Sequence, residues 1–126
     1  MTSRPDQVLL VDHDSERRRM YRTALTLAGL EVHDAGDGLD ALRQIDQTTP
    51  EIIVLDLVLP DISGLDLRQE IAAHAHTRDI PLVIVTDGLD PGMLNAPCVL
   101  RRPVSPEQLV STVLSCLSSG APGLSS

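Results

Sequence analysis

The feature that most constrains the fold of this chain is a regular alternation of short apolar runs with segments of helical periodicity. The runs occupy residues 8–11, 30–32, 52–55, 82–85 and 98–100. Most of them are rich in Val and Ile and nearly continuous, which is typical of strands that are covered on both faces. Strands that alternate with helices in this way form βαβ units, so the pattern predicts a parallel sheet.

The segments between the runs carry apolar residues at the i, i+3, i+4, i+7 spacing of a half-buried helix. Asp14 is a suitable N-cap for the first helix and Gly29 a suitable stop, and the last helix is entered through Ser105, Pro106 and Glu107. Residues 87–97 interrupt the pattern, because two glycines and two prolines leave room for at most about two helical turns. The predicted stripes are Tyr21, Ala24, Leu25 and Ala28; Ala41, Leu42 and Ile45; Leu67, Ile71 and Ala75; and Val110, Val113, Leu114 and Leu117.

Length and charge narrow the possible functions. The chain has 126 residues, the size of one ordinary domain, and a net charge of −8 in which all ten basic residues are arginine. An acidic protein is a poor direct partner for nucleic acid, whose phosphates are bound by basic surfaces. Because the chain has neither an apolar stretch of bilayer length nor the apolar core of a signal peptide, we expect no membrane contact and a cytoplasmic location.

Cysteine usage gives no sign of a metal or redox centre. The two cysteines, Cys98 and Cys116, are too far apart for a CxxC motif and have no matching histidine pair. We expect both of them to be reduced, buried thiols.

Polar residues stand where the predicted strands end. They are Asp12, His13 and Asp14 after the first run, Asp56 after the third, Thr86 after the fourth, and Arg101 and Arg102 after the fifth. In an open α/β sheet, ligands bind outside the carboxyl ends of the strands. A single Asp at such a position is usually a cap or turn residue, but acids, a hydroxyl and guanidinium groups together at one edge predict a functional site.

Four stretches around these residues resemble the receiver domain of two-component response regulators, over about Gln7 to Leu117. Residues 55–64, Leu-Asp-Leu-Val-Leu-Pro-Asp-Ile-Ser-Gly, are similar to the family's phosphoacceptor loop of Asp, three residues, Pro, three residues and Gly. Residues 35–42 are similar to the start of its second helix, and Thr86 and Arg102-Pro103 stand where the family has a hydroxyl residue and a Lys-Pro pair. The resemblance implies a flavodoxin-like, doubly wound (βα)5 fold with a five-stranded parallel sheet of order 2-1-3-4-5. Helix four, between strands four and five, would be shortened or missing.

The resemblance also implies a role for each residue at the strand ends. Asp56 would be the phosphoacceptor, which takes a phosphoryl group from a histidine kinase or a phosphotransfer protein. Mg²⁺ would be held by Asp12, Asp56 and the backbone carbonyl of Val58. Thr86 would hydrogen bond one phosphoryl oxygen, and Arg102 would pair with another. Phosphoryl transfer to a carboxylate needs charge compensation of this kind.

His13 departs from the family pattern, because it stands where the family usually has a second acid that binds the metal. Imidazole is a weaker ligand than carboxylate for a hard ion such as Mg²⁺. Two interpretations remain open. Either His13 is a surface residue and Asp12 or Asp14 serves as the ligand, or a protonated His13 supplies part of the metal's charge.

Three further positions depart from the pattern: Arg102 replaces a lysine, Val99 a switch aromatic and Asp87 a small residue. Guanidinium can bind phosphate, but it is planar and longer than the ammonium group of lysine. In the family, the aromatic side chain follows the hydroxyl residue when that residue moves towards the phosphoryl group. The small side chain of Val99 cannot change its position in a comparable way if Thr86 moves. Asp87 adds a like charge at the mouth of the pocket, or simply caps a short helix. We therefore expect the face that family members use for output to be reshaped.

These residues suggest three possible functions. The favoured one is a receiver that is phosphorylated on Asp56 and signals through contacts with a downstream protein or effector domain. The alternative is a pseudo-receiver, a protein-binding module that does not depend on phosphorylation. The sequence Asp12-His13-Asp14 also resembles the Asp-x-Asp of haloacid-dehalogenase-type phosphatases, but no acidic pair follows the later strands and Asp56 would have no role, so we expect no enzyme.

The domain organisation that we expect is a receiver domain over residues 1–119 and a flexible C-terminal tail over 120–126. Small residues with Pro and Gly are typical of such a tail, which fits either a stand-alone receiver or a linker to a further domain. We expect Arg17, Arg18 and Arg19 to form a solvated face of the first helix, on which a kinase can dock.

Overall fold

The computed structural model describes residues 4–87 and 98–118. Within these ranges, five strands form one sheet in the order β2-β1-β3-β4-β5, and every neighbouring pair is parallel. The strands are β1 (Gln7–Val11), β2 (Glu31–Ala35), β3 (Ile52–Asp56), β4 (Leu82–Thr86) and β5 (Cys98–Arg101). The predicted flavodoxin-like fold class and strand order are confirmed.

Four helices accompany the strands in the described residues: α1 (Ser15–Leu27), α2 (Gly38–Thr48), α3 (Gly64–Ala73) and α4 (Pro106–Ser118). Asp14 caps α1 as predicted, because its carboxylate accepts hydrogen bonds from the N–H groups of Glu16 and Arg17. α3 ends at Ala73, so the prediction that Ala75 continues its stripe is wrong. We expect the helix between β4 and β5, called helix four in the sequence analysis, to be shortened or missing. This region, residues 88–97, and the predicted tail lie outside the described residues.

Side chains along the central strands alternate between two core clusters, one on each face of the sheet. In β1, Val8 and Leu10 pack with residues of α1 and α4, whereas Leu9 and Val11 pack with residues of α2 and α3. This period of two is the geometry of a β-strand. Because helices cover both faces, the central strands are buried along nearly their whole length, which explains their near-continuous apolar sequences.

Tyr21, the chain's one aromatic residue, ties α1 to the segment that follows β5. Its hydroxyl donates a buried hydrogen bond of 2.8 Å to the backbone carbonyl of Val104. Burial raises the pKa of the Tyr21 phenol, so the hydroxyl keeps its proton and remains a donor.

Cys98 and Cys116 are joined by a disulfide bond, so the expectation of reduced thiols is wrong. Cys98 begins β5, and Cys116 lies near the end of α4. The two residues are 18 positions apart in the sequence, and they meet because α4 packs back against the sheet within the same core cluster. Sequence spacing could not reveal this pair, because the contact depends on how the helix docks.

We predict that two identical truncations in α1 differ sharply in their effect on the free energy of unfolding. Leu25 is fully buried, whereas Leu27 is 83% exposed. Leu25→Ala leaves a cavity in the core and should lower the free energy of unfolding by about 2–5 kcal/mol. Leu27→Ala should change it by less than about 0.5 kcal/mol. Urea denaturation measures both values, and equal losses would contradict the packing of α1 described here.

Candidate functional site

The carboxyl edge of the sheet gathers the polar residues that stand at the strand ends. Asp12 follows β1, Asp56 and Thr86 end β3 and β4, and Arg102 follows β5. The N–H of Arg102 donates to the backbone carbonyl of Thr86 at 2.8 Å. Asp12 and Asp56 are each only 2% exposed. Because a buried carboxylate is costly unless it is paired and hydrogen bonded, the partners of these two aspartates define the site.

Asp56 lies at the centre of the pocket, and each of its carboxylate oxygens contacts two groups. Oδ1 accepts a hydrogen bond from the N–H of Val58 at 3.0 Å and lies 3.2 Å from Nη2 of Arg102. Oδ2 lies 2.9 Å from Nδ1 of His13 and 3.4 Å from Nη2 of Arg17. Two guanidinium groups and an imidazole therefore surround one buried carboxylate.

Arg17 binds Asp12 through two hydrogen bonds. Its Nε donates to Oδ2 of Asp12 at 2.7 Å, and its Nη2 donates to Oδ1 at 2.8 Å. The hydrogen bond to Asp12 raises the pKa of Arg17 above its ordinary value, so the guanidinium stays charged. The prediction that residues 17–19 form a solvated face is wrong for Arg17 and Arg18, whose side chains are mostly buried.

Helix geometry is the signal that could have placed Arg17 in the site. Side chains of a helix tilt towards its N-terminus, so a long side chain in the first turn reaches back to the end of the preceding strand. Arg18 behaves in the same way, because its Nη1 donates to the backbone carbonyl of Asp12 at 2.7 Å. Arg19 alone of the three is exposed.

The two residues between Asp12 and α1 take different positions. His13 contacts Asp56 with a side chain that is 43% exposed, so it lies at the solvent side of the buried carboxylate. Asp14 caps α1, and its own N–H donates to Oδ1 of Asp12 at 2.9 Å. The hydrogen bond from the N–H of Arg17 lowers the pKa of Asp14. Asp14 therefore serves the helix and is not part of the inner cluster.

Arg102 enters the site from the end of β5. Its Nη1 donates to Oδ1 of the exposed Asp87 at 3.1 Å. Burial lowers the pKa of Arg102, but the charge of Asp56 and the hydrogen bond to Asp87 together raise it above its ordinary value, so the group stays protonated. Its Nε and Nη2 are buried, and no acceptor among the described residues meets them in hydrogen-bond geometry. Buried donors without acceptors are rare in folded proteins and point to a ligand or water that completes them.

The loop after Asp56 depends on Gly64 for its shape. The N–H of Gly64 donates to the backbone carbonyl of Leu57 at 3.0 Å, which draws the start of α3 against the end of β3. A Cβ atom at Gly64 would lie 2.5 Å from Cα of Leu57 and 2.8 Å from the backbone oxygen of Asp56. Only glycine permits this approach, which explains the last position of the sequence pattern that begins at Asp56.

Asp61 connects the loop between β3 and α3 to α2 by hydrogen bonds. Its Oδ1 accepts a hydrogen bond from the N–H of Gly38 at 2.8 Å, and its Oδ2 accepts one from the N–H of Leu39 at 2.9 Å. The hydrogen bond from Gly38 is the largest of the effects that lower the pKa of Asp61. A carboxylate at a helix N-terminus also interacts favourably with the helix dipole. The loop between Asp56 and α3 is thus held against α2 through Asp61 and against the end of β3 through Gly64.

A divalent cation finds possible ligands in this pocket, but they are already engaged. Ligand atoms of Asp12, His13 and Asp56 lie within 4.8 Å of one another, and no other such group occurs among residues 4–87 and 98–118. Arg17 binds both oxygens of Asp12, and the third ligand is an imidazole, whereas Mg²⁺ prefers oxygen. Val58 contacts Asp56 through its N–H. As they are arranged, these residues do not fit Mg²⁺, because a guanidinium already compensates the charge of Asp12.

Comparisons with known proteins agree with this fold. A family model described as the response regulator receiver domain matches residues 8–113. The chain is 33% identical over 116 residues to the probable transcriptional regulator ycf27 of Galdieria sulphuraria, covering 87% of this chain and 44% of that protein. It is 31% identical to the phosphate regulon transcriptional regulatory protein PhoB of Pseudomonas aeruginosa, covering 92% and 53% of the two chains. The structure of the chemotaxis response regulator CheY4 of Vibrio cholerae superimposes with a TM-score of 0.82 at 25% identity, covering 89% and 98%.

A doubly wound sheet with an acidic pocket at its carboxyl edge, together with these matches, defines a signalling module. The chain belongs to the response regulator receiver domain family, which acts in two-component phosphorelay signalling. Members of this family bind Mg²⁺ at an acidic pocket, and Asp12, His13 and Asp56 form such a cluster here. The chain spans about half the length of the curated relatives that it matches. No helix in the described ranges is long and apolar enough to cross a membrane.

Two glycine substitutions test the architecture of the Asp56 loop. Gly64→Ala forces a Cβ against the backbone of Leu57 and Asp56, whereas a Cβ at Gly36 meets only the end of the flexible Arg18 side chain, at 3.1 Å. We expect Gly64→Ala to lower the free energy of unfolding by about 1–3 kcal/mol and Gly36→Ala by clearly less. Chemical denaturation compares them. A neutral Gly64→Ala would show that α3 does not approach β3 this closely.

Proposed function

We propose that Asp56 accepts a phosphoryl group from a phosphohistidine of a histidine kinase or phosphotransfer protein, and that the phosphorylated domain signals through protein contacts. The observation that carries this proposal is the environment of Asp56. A buried carboxylate at a strand end is surrounded by positively charged donors, and two buried donors of Arg102 beside it have no acceptor among the described residues. Such an arrangement suits a group that gains negative charge at Asp56.

The chemistry is a transfer between two nucleophiles. A bond forms between an Asp56 carboxylate oxygen and phosphorus, and the bond between phosphorus and the donor imidazole nitrogen breaks. The imidazole leaves with the electron pair and is protonated on the donor side. Because the attacking carboxylate and the phosphoryl group are both negative, their approach requires positive charge at the reacting centre.

The residues around Asp56 supply this charge in fixed positions. Nη2 of Arg102 lies 3.2 Å from Oδ1 of Asp56 as an ion pair without hydrogen-bond geometry, so this donor and Nε can hydrogen bond an incoming phosphoryl oxygen. Thr86 is buried at the end of the neighbouring strand β4, and we assign its hydroxyl to another phosphoryl oxygen. His13 contacts Oδ2 of Asp56 from the solvent side, so its ring has to leave this oxygen when the phosphoryl group approaches there.

The charge compensation described above comes from side chains of this chain. Binding of Mg²⁺ to Asp12, Asp56 and the carbonyl of Val58, with or without His13, stays a prediction.

We further propose that the domain is a substrate of phosphoryl transfer and not an enzyme that turns over small molecules. The phosphatase alternative leaves the buried Asp56 without a role, and no acidic pair follows the later strands.

The proposed partners follow from the family and from charge. Receiver domains work with histidine kinases or phosphotransfer proteins, and the curated relatives are transcriptional regulators, so a downstream effector domain or protein is proposed as well. The net charge of −8 supports a protein rather than nucleic acid as the direct partner. We propose a cytoplasmic location, where kinases that use ATP produce phosphohistidine. The pseudo-receiver alternative is less well supported, because Asp56, Thr86 and Arg102 are all present at the pocket.

Treatment with acetyl phosphate tests the assignment of Asp56. The unmodified chain should gain the mass of one phosphoryl group in intact-protein mass spectrometry, with Mg²⁺ or Mn²⁺ supplied. Asp56→Asn should abolish this gain, because an amide is not a nucleophile for phosphorus at neutral pH. Asp46→Asn is the matched control, since Asp46 is an exposed aspartate of α2. A mass gain that persists in Asp56→Asn, or no gain with any divalent ion, would exclude Asp56 as the phosphoacceptor.

A further inference from the structure

The acidic pocket already contains a bound cation, the guanidinium of Arg17. It forms two hydrogen bonds, of 2.7 and 2.8 Å, with the two oxygens of Asp12, and its Nη2 also lies 3.4 Å from Oδ2 of Asp56. One positive group therefore bridges the two buried carboxylates. This bridging position between two acids is the one that a divalent cation would need.

Arg17 occupies one acceptor position on each oxygen of Asp12, and the N–H of Asp14 occupies a second position on Oδ1. A guanidinium that binds both oxygens of a carboxylate compensates its charge in a fixed geometry. A metal ion that bound Asp12 and Asp56 would bring two positive charges next to that of Arg17, so the Arg17 side chain would have to withdraw. His13 provides no additional acid to offset this repulsion. Arg17 and a divalent cation are therefore alternative partners of the same two carboxylates.

The placement of Arg17 is specific and does not result from a general excess of arginine on α1. The N–H of Arg17 donates to Oδ1 of the cap residue Asp14 at 3.0 Å, which fixes the backbone beneath the side chain. The next two arginines take other directions. Arg18 binds Asp34 and the backbone of Asp12, and Arg19 is exposed. One of three consecutive arginines thus enters the pocket, and another provides a natural control.

We propose that Arg17 is the resident cation of this receiver and competes directly with Mg²⁺ for Asp12 and Asp56. The pocket then holds its two carboxylates in a compensated state without metal, and a divalent cation binds only when the Arg17 side chain withdraws. The proposal goes beyond phosphorylation of Asp56 and relies on the proposed function only for the choice of Mg²⁺ as the relevant ion.

Cation titration of the full chain without any phosphoryl donor tests the competition. Mg²⁺ and Mn²⁺ affinities are measured by isothermal titration calorimetry for the unmodified chain, Arg17→Met and Arg19→Met. The two variants remove the same charge from the same helix. We expect Arg17→Met to bind both ions at least about tenfold more tightly than the unmodified chain, and Arg19→Met to change the affinity by less than about threefold, the effect of one distant, screened charge.

Thermal unfolding gives a second readout that a purely structural salt bridge would not produce. Arg17→Met leaves Asp12 buried without its charged partner. The thermal unfolding midpoint of this variant should therefore be lower than that of the unmodified chain in the absence of metal, and Mg²⁺ should raise it by more. Arg17→Gln keeps one hydrogen-bond donor without charge and should show the same increase in affinity if Arg17→Met does not fold. Affinities in both Arg17 variants that equal or fall below that of the unmodified chain would overturn the proposal. Because no phosphoryl donor is present, a failure of Asp56 to be phosphorylated leaves this result unaffected.

Discussion

Two carboxylates that are buried at the ends of neighbouring strands impose the main constraint on this structure. Asp12 and Asp56 are almost inaccessible to water, so their charges have to be met by groups of the protein. Arg17 from α1, Arg102 from the end of β5 and His13 from the loop after β1 all converge on them. The cap of α1, the close approach of α3 at Gly64 and the parallel register of the sheet can each be understood as positioning these groups.

The pocket differs from the family pattern in the positive groups that compensate its two buried carboxylates. A lysine and a second acid are replaced by Arg102 and His13, and Arg17 adds a further positive group that reaches both buried acids. The inner pocket is therefore compensated largely by its own side chains. In the proposed phosphorylation, a phosphoryl group at Asp56 would meet guanidinium groups that are already in place. The donors of Arg102 without an acceptor in hydrogen-bond geometry are the part of this environment that remains unsatisfied.

The start of β5, away from the polar pocket, consists of apolar residues. Val99 is a half-buried residue of this strand where the family pattern has a switch aromatic, and Cys98 beside it is covalently linked to Cys116 of α4. Tyr21 lies within the core and binds the backbone of Val104, so the chain's one aromatic residue serves packing rather than the surface of β5. β5 therefore has no aromatic side chain, and its first residue is covalently fixed to α4.

The sequence by itself determined the fold, the strand order through the family resemblance, and the convergence of Asp12, Asp56, Thr86 and Arg102. These depend on local information: the period of two in strands, the period of 3.6 in helices, capping residues, and the rule that parallel strands end at one edge. The position of Arg17 in the first turn of α1 allows its side chain to reach the end of β1, but only the tertiary structure decided that it binds Asp12 and that Cys98 meets Cys116. Both contacts depend on how a helix is rotated and docked against the sheet. A difference of one residue along a helix turns a side chain by about 100 degrees, so a run of three arginines cannot by its composition reveal which of them lies inside.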